Sequence, residues 1–503
     1  MIPPLRLAIS RLPPSMLSRS RFLSALCALA ALGLVTPAAP AAPLSLDEAI
    51  RLALTKNQTI KVQSFGRDIA RANLLAAAGT FDPSLNFRRT YSENGSPVSS
   101  NPLVKSLTQT DDYSLTLDGI MPWGLSYSLG GSAQNQRGTY NGFRDTYSTF
   151  GGVTITQPLL RGFGFGANLY TVRVAKADRS ISDWDYRQTV IDTITSVIFT
   201  YNNLEQARQN LRITTLSRNL AAQLLSENEK RFQVGSLSDA DVTQARARVA
   251  NREESILLAE RAVQDVENQL RQLIGETDFT TVNPALELEP LAPATELIAQ
   301  PAEDLKKAYD LRPDYQSARL GLVKRRAGDS LAHNQLLPRV DAVGSYGYNG
   351  LDSDFAASRR QVGNEDNRSY SAGVVVTVPL TFAAGRGKAR AARLGLRQAE
   401  ADLTRLEQDI AVAIANAAGQ LETTRRRVAA TRTAYELAKQ ALEAEVKRLR
   451  AGTSSTFFVL QLQENLADVE IRQVRALADQ RRAVANYERE LGTTLTRHNI
   501  ALQ

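Results

Sequence analysis

Side chains that could catalyse a reaction or bind a metal are few and scattered in this sequence. His333 and His498 are the only histidines, and the single cysteine, Cys27, lies in the apolar core of an N-terminal leader. Nucleophilic, acid–base and soft-metal chemistry all need several such groups held close together. We therefore expect no catalytic residue, no metal site and no cofactor, and the chain also lacks a nucleotide-binding loop.

The most suggestive charged pair is Asp239 and Asp241, which follow the turn Val234-Gly235-Ser236. A structural role accounts for them. Ser238 is a good helix cap, and acidic residues stabilise the positive end of the helix that begins there.

These residues belong to a predicted helical hairpin from Val197 to Gly275, with Gly235 at its tip. Apolar residues recur every seven positions on both sides of the turn, interrupted only at Arg218: Val197, Leu204, Leu211, Leu225, Phe232, then Val242, Val249, Ile256, Val263 and Leu270. Such a repeat places the apolar residues on one seam and predicts a left-handed coiled coil.

The hairpin occurs a second time around Ala451-Gly452-Thr453. A shift of 217 residues relates Val197 to Ile414 and Gly235 to Gly452, and a shift of 255 relates Pro83 to Pro338. We interpret the chain as two tandem structural repeats, residues 42–275 and 301–492, joined by a connector, 276–300, and followed by a tail, 493–503. Each repeat begins with a helix, the first running unbroken from Asp47 to Gly79.

Residues 1–41 have the pattern of a secretory signal peptide, with basic residues before the apolar run Phe22 to Val35 and cleavage predicted after Ala41. The apolar run is too short for a membrane helix, which needs roughly 20 residues. Lipid attachment at Cys27 is not expected after Leu26. Without the four arginines of the leader, the balance is 56 basic against 52 acidic side chains, which is too small an excess to suggest nucleic acid.

Alternating apolar and polar residues predict strands at about 84–157 and about 339–379. Between them we expect polar loops at Ser92 to Asp111, Gln134 to Asp145 and Asn349 to Asn367. The alternation fits a soluble sandwich or an outer-membrane barrel. Because helices of about 100 Å, at 1.5 Å per residue, flank the strands, the barrel is favoured; the longest is predicted from Gly166 to Phe232.

Four segments carry a resemblance to a known family: Leu44-Ser-Leu-Asp-Glu-Ala-Ile50, Thr156-Gln-Pro-Leu-Leu-Arg-Gly-Phe-Gly164, Arg231-Phe-Gln-Val-Gly-Ser-Leu-Ser-Asp-Ala-Asp-Val242 and Leu311-Arg-Pro-Asp-Tyr315. In this order and spacing they resemble the TolC-like outer-membrane efflux proteins. The resemblance implies an α + β membrane protein, a homotrimer whose strands form one transmembrane β-barrel. Its helices would continue the barrel as a coiled-coil tunnel through the periplasm.

Three departures from that family bear on mechanism. The hinges read Val234-Gly235-Ser236 and Ala451-Gly452-Thr453, where relatives that dock an adaptor often have Val-Gly-Leu. The hinge residues therefore do not identify which pump or adaptor is used. Positions past the second hinge that are often acidic hold Phe458 and Gln461, whereas Asp239 and Asp241 follow the first hinge; together these four are the candidate gate. By threefold symmetry the acids could form a ring that favours cations. The stretch from Pro83 to Pro158 includes an additional hairpin turning at Met121-Pro-Trp-Gly124, which would give six strands instead of four.

The predicted function is a passive outer-membrane exit duct, in a tripartite efflux or type I secretion system, reaching into the periplasm. Its partners would be two further copies, outer-membrane lipid, a periplasmic adaptor (membrane fusion protein) and an inner-membrane transporter, with no nucleic acid. The six hinge residues are the candidate adaptor-docking site. A porin or adhesin without a pump, and a secreted coiled-coil protein, are the alternatives.

Overall fold

The computed structural model describes residues 43–98, 105–276, 285–290 and 297–502. The predicted signal peptide, 1–41, lies outside the described residues, as do parts of the predicted connector, including Pro284 and Pro293. The elements below all belong to the unit Leu44–Gln503.

Long helices dominate the described chain. The first half contains α1 (Leu46–Lys56), α2 (Gln58–Ala78), α3 (Phe165–Asn168), α4 (Tyr170–Gln233) and α5 (Asp239–Leu273). The second half contains α6 (Pro301–Leu311), α7 (Pro313–Asn334), α8 (Phe355–Gly363), α9 (Ala383–Arg450), α10 (Thr456–Leu491) and α11 (Thr494–Arg497). With 64 and 68 residues, α4 and α9 are each about 100 Å long at 1.5 Å per residue. Among the described residues, no helix has the length and apolar character that a membrane crossing requires.

The prediction of an unbroken helix from Asp47 to Gly79 is wrong, because Asn57 separates α1 from α2. Its backbone is extended, and its side-chain oxygen accepts hydrogen bonds from the amides of Thr59 (2.8 Å) and Ile60 (3.3 Å). Its amide nitrogen donates to the carbonyl of Leu273 at 2.9 Å. Asn57 therefore caps α2 and ties it to the end of α5.

The second half has an equivalent break at Arg312, 255 residues later. Pro313 begins α7 and disfavours helical backbone at the residue before it. Arg312 donates to the carbonyl of Glu490 at 2.9 Å and pairs with its carboxylate at 2.7 Å. In both halves a short helix pair thus meets the end of a returning helix.

The predicted start of the longest helix is also different. A four-residue helix, α3, ends at Asn168, and α4 begins only at Tyr170. The side chain of Asn168 donates to the carbonyls of Gly162 (2.8 Å) and Gly164 (2.9 Å), which holds the preceding turn against the helix start.

Two hydrophobic clusters form the core of the helical part. One lies where α1, α4 and α5 meet and includes Ala53, Val197, Leu204, Leu270 and Ile274. The other lies where α6, α9 and α10 meet and includes Ala308, Ile414, Leu421, Tyr487 and Leu491. Each residue in the second set lies 255 or 217 positions after its counterpart in the first, which are the two shifts found in the sequence.

The chain start and the connector close over the first cluster. Leu44 pairs with Leu288, and the Tyr201 hydroxyl donates to the carbonyls of Leu44 (2.8 Å) and Glu289 (2.9 Å). Burial of this phenol raises the pKa of Tyr201 to about 12, so it stays a neutral donor. This part of the connector is therefore fixed to the middle of α4.

Six strands form one antiparallel sheet in the order β1 to β6. They are β1 (Ser84–Pro97), β2 (Lys105–Ile120), β3 (Ser126–Gly138), β4 (Tyr147–Pro158), β5 (Arg339–Asp352) and β6 (Asn367–Thr377). The turn between β2 and β3 is at Met121-Pro-Trp-Gly124, where the amide of Met121 donates to the carbonyl of Leu125 at 2.7 Å. The chain therefore contributes six strands to the sheet, as the additional hairpin predicted, and not four.

The strands reach further than expected. β1 and β2 stay paired to Pro97 and Lys105, inside the loop predicted for Ser92 to Asp111. The segment predicted as a polar loop, Asn349 to Asn367, contains the ends of β5 and β6 and the helix α8.

The sheet has two chemically different faces. One continuous row across all six strands is Leu85, Leu117, Leu129, Val153, Tyr346 and Tyr370. The row on the opposite face holds Asn86, Thr116, Gly130, Gly152, Gly347 and Ser369. The first, called the apolar face below, leaves Leu85 71% and Val374 62% exposed, so this chain alone does not cover it.

Candidate functional site at the hairpin tips

The first tip is a tightly closed helix end. Gly235 has a φ of +74°, a left-handed conformation that glycine adopts without strain. The amide and the hydroxyl of Ser236 both donate to the carbonyl of Arg231, each at 2.9 Å. The Ser236 hydroxyl therefore satisfies the end of α4, while the side chain of Val234 is 78% exposed.

The second tip repeats this arrangement. Gly452 has a φ of +78°, and both the amide and the hydroxyl of Thr453 donate to the carbonyl of Arg448, at 3.0 and 3.2 Å. Ala451, the counterpart of Val234, offers only a methyl group. The two tips therefore share a backbone geometry and differ in the side chain that each presents.

The two candidate gate acids occupy different environments. Asp241 and Ser238 form a capping box. The Ser238 hydroxyl donates to the Asp241 carboxylate at 2.6 Å and accepts a hydrogen bond from the Asp241 amide at 3.3 Å. Asp239 is exposed, and within the described residues it forms no ion pair. The structure thus gives Asp241 a structural role and leaves the carboxylate of Asp239 available to solvent ions.

The two candidate gate residues of the second hairpin lie one turn apart on α10. Phe458 is 53% exposed and its ring lies 5.7 Å from that of Phe457, while Gln461 is exposed. Val459, which lies between them in the sequence, is buried, as is Val242 at the equivalent position of the first hairpin. Phe458 and Gln461 therefore extend from a packed helix surface.

A link between the hairpins lies behind the tips, and the sequence did not indicate it. The Arg248 guanidinium on α5 lies 6.0 Å from the ring centre of Phe457 on α10. Arg248 and Arg252 both approach the carboxylate of Glu464, at 3.8 Å each. Nothing in the sequence distinguishes these arginines from the exposed arginines around them, because their partner is more than 200 residues away.

A cavity of about 740 Å³ opens where the sheet meets the helices. Its lining includes the basic residues Arg161, Arg339 and Lys388 and the buried Asp341, which is 4% exposed. One carboxylate oxygen of Asp341 accepts from Arg339 at 2.6 Å, and the other has no hydrogen-bond partner among the described residues. This charged cavity is continuous with the polar face of the sheet, and no local pattern in the sequence indicates it.

No group of three or more histidine, cysteine or acidic residues in the described ranges is arranged to hold a metal ion. The chemistry of the tips is therefore that of contact surfaces and exposed charge.

Comparison with known proteins adds a family match. A sequence profile described as "Outer membrane efflux protein" matches residues 49–276 and 305–493. The outer membrane efflux protein BepC of Brucella suis is 25% identical over 341 residues, which cover 66% of this chain and 70% of the relative. The outer membrane protein TolC of Vibrio cholerae is 24% identical over 348 residues, covering 67% and 77%.

The fold also matches solved structures. The CmeC outer membrane channel of Campylobacter jejuni superposes with a TM-score of 0.69 at 16% sequence identity, covering 89% of this chain and 86% of that one. At this level of identity the likeness establishes the shared fold.

Proposed function

The chain belongs to the outer membrane efflux protein family, whose members are outer-membrane channels, and from this premise we propose that it is the passive exit duct of a tripartite efflux or type I secretion system. The observation that carries the proposal is the joining of two parts in one chain. A sheet with one apolar and one polar face continues into helices about 100 Å long. A duct that crosses the outer membrane and reaches into the periplasm needs both parts.

We propose that three copies close one barrel. In a single chain, β1 and β6 are edge strands with unpaired backbone groups, and such edges are stable in membranes only when they are paired. Pairing β6 of one copy with β1 of the next would join three six-stranded sheets into about 18 strands, a number that leaves an aqueous channel in porins. The apolar face would contact lipid and the polar face would line water.

The tips are the proposed docking end for a periplasmic adaptor and an inner-membrane transporter. Val234, Gly235, Ser236, Ala451, Gly452 and Thr453 form the two exposed turns. Asp239, Asp241, Phe458 and Gln461 would lie at the mouth of the tunnel. With no catalytic constellation in its sequence, the chain would depend on the transporter for energy, and we propose no enzymatic activity for it.

The same geometry supports the two-repeat interpretation. Two tips with one hydrogen-bond pattern, and two cores at fixed sequence offsets, are the arrangement that a duplicated unit produces. A porin or adhesin would give no reason for the long helices, and a secreted coiled coil gives none for the sheet.

Membrane fractionation and planar-bilayer conductance test the duct. We expect the mature protein in the outer membrane, after removal of a leader at about Ala41, and discrete channels from the purified trimer. A soluble product that does not conduct would refute the proposal. Because the mature chain would lack cysteine, single cysteines placed along β1 and β6 test whether three copies close one barrel. We expect disulfide crosslinks between copies. Failure to crosslink at every register would refute the closed barrel.

Docking is tested by Ser236→Trp and Thr453→Trp, with Thr433→Trp on the exposed side of α9 as the matched control. Each tip variant should lose adaptor pull-down and export while still forming channels, and the control should retain all three. Intact export in both tip variants would refute docking at the tips.

A further inference from the structure

A short helix, α8, lies on the apolar face of the sheet. The hydroxyl of Ser358, which is fully buried, lies 2.8 Å from that of Thr149 on β4. The Phe355 ring lies 5.9 Å from that of Tyr147, and the Tyr348 hydroxyl donates to Glu365, just after the helix, at 2.9 Å. The β4 and β5 residues in these contacts share the face that carries Val153 and Tyr346.

The approach of α8 to the sheet is close. A Cβ atom at Gly350 would lie 2.0 Å from the carbonyl oxygen of Ser358. Gln361 bonds both the amide and the carbonyl of Leu351, at 3.0 and 3.2 Å. The helix is therefore fixed to the sheet and is not a loose part of a loop.

The side of α8 that faces away from the sheet is basic and unpaired. Phe355, Ser358 and Val362 contact the sheet at helical spacing, which directs Arg360 away from the sheet and places Arg359 at the flank, beside Phe355. Both arginines are exposed and make no ion pair within the described residues. Two other arginines on the same face are paired, Arg89 with Asp111 at 3.0 Å and Arg137 with Asp145 at 3.5 Å.

The position of α8 along the strands indicates which leaflet it meets. The connections to the long helices leave the sheet at Ser84, Pro158, Arg339 and Thr377, all at one end, and α8 lies in the connection between β5 and β6 at the other end. With the helices in the periplasm, that other end lies at the outer leaflet. Its main lipid is a glycolipid that carries phosphate groups.

We propose that Arg359 and Arg360 bind the phosphate groups of this outer-leaflet glycolipid. A guanidinium on a lipid-facing surface needs an anionic partner or water, and its planar donors match phosphate oxygens. The side chain of Phe355, 45% exposed, lies one helical turn before Arg359 and suits the acyl part of such a ligand. The site rests on the proposed insertion of the sheet in the outer membrane.

Native mass spectrometry of the detergent-purified trimer, titrated with lipid A carrying two phosphates or none, tests the site. A basic residue near an anionic lipid surface strengthens binding by about fivefold, so Arg359→Gln/Arg360→Gln should weaken binding of the phosphorylated lipid by about 25-fold. Arg359→Lys/Arg360→Lys should retain most of the binding. Arg432→Gln/Lys439→Gln on α9, which removes the same charge from exposed positions, should leave it unchanged.

Two results would overturn the site: equal binding of phosphorylated lipid A by the wild type and the Gln variant, or equal binding of the two lipids by the wild type. The second comparison needs no variant and holds even where the Gln variant fails to assemble. Bilayer conductance of the same samples separates the two proposals. A conducting channel without phosphate preference refutes only the lipid site, whereas a wild type that neither conducts nor fractionates with the outer membrane refutes the duct.

Discussion

Replacing Arg248 with Gln should loosen the link between the two hairpins. The guanidinium lies 6.0 Å from the Phe457 ring centre and 3.8 Å from the Glu464 carboxylate, and the Arg248 side chain is 20% exposed. A partly exposed ion pair contributes about 0.5 to 1 kcal/mol, and an arginine over an aromatic ring about as much again. The variant should therefore lose about 1 to 2 kcal/mol of coupling, which shifts an equilibrium between linked and separated tips about 5- to 30-fold.

Single-channel recording in planar bilayers measures this shift as open probability. Arg248→Gln should increase the open probability, because the tips separate more easily. Arg246→Gln is a matched control on the same helix, since Arg246 pairs at 2.9 Å with Glu229 inside the first hairpin. That variant should leave the open probability near the wild-type value.

A double-mutant cycle tests whether the effect comes from the named pair. Arg248→Gln, Glu464→Gln and the double variant should show non-additive changes, with a coupling of about 0.5 to 1 kcal/mol. The reasoning is refuted if Arg248→Gln and Arg246→Gln change the open probability equally, or if the cycle is additive within its error.

Three further predictions follow from the caps and the buried charges. Asp239→Asn should reduce the cation preference of the channel in bilayers more than Asp241→Asn, because the second carboxylate is held by Ser238; unchanged selectivity in both variants would contradict a gate ring. Asn57→Ala removes a helix cap and leaves the Leu273 carbonyl unpaired, so it should cost about 2 to 4 kcal/mol and lower the melting temperature measured by circular dichroism, whereas Gln58→Ala should not. Burial raises the pKa of Glu488 above its ordinary value near 4.5, so the ionised side chain destabilises the folded state as pH rises through the raised pKa. Glu488→Gln should therefore raise the melting temperature most at pH 8 and least below pH 4.5. Equal increases in melting temperature at the two pH values would contradict this.

The apolar seven-residue repeat predicted the core well where several helices meet. Val197, Leu204 and Leu270 are fully buried, and Ile414 is 1% exposed. Nearer the tip, Phe232 on the same repeat is 44% exposed. The periodicity identifies the face of each helix, but burial also depends on how many neighbours that face has. At the tips a single chain supplies fewer of them than at the middle of α4.

The features that the sequence did not reveal depend on contacts between distant residues. Asn57 breaks the first helix by bonding the carbonyl of Leu273, 216 residues away, and no local pattern indicates that partner. The corresponding break at Arg312 did carry a local signal, because Pro313 follows it. The helix α8 has nine residues, too few to be stable alone, and it depends on the contact of Ser358 with Thr149.

The hinge residues that depart from the family pattern have a physical role in this chain. Ser236 and Thr453 each donate a hydroxyl hydrogen bond to the carbonyl five residues earlier, which closes the helix end within the turn itself. Leucine could not make that bond, so its side chain would instead be offered to a partner.

With the two hydroxyls occupied, the groups left for an adaptor differ between the tips. At the turns, the first tip presents Val234, 78% exposed, where the second presents the methyl of Ala451. Behind the turns, the first hairpin exposes Phe232 (44%) and the second exposes Phe458 (53%). An adaptor that contacts the turn residues of both tips would therefore bury more apolar surface at Val234 than at Ala451. Val234→Ala should then weaken adaptor pull-down, while Ala451→Val should strengthen it or leave it unchanged. Equal losses in both variants would show that the adaptor does not distinguish the tips by these side chains.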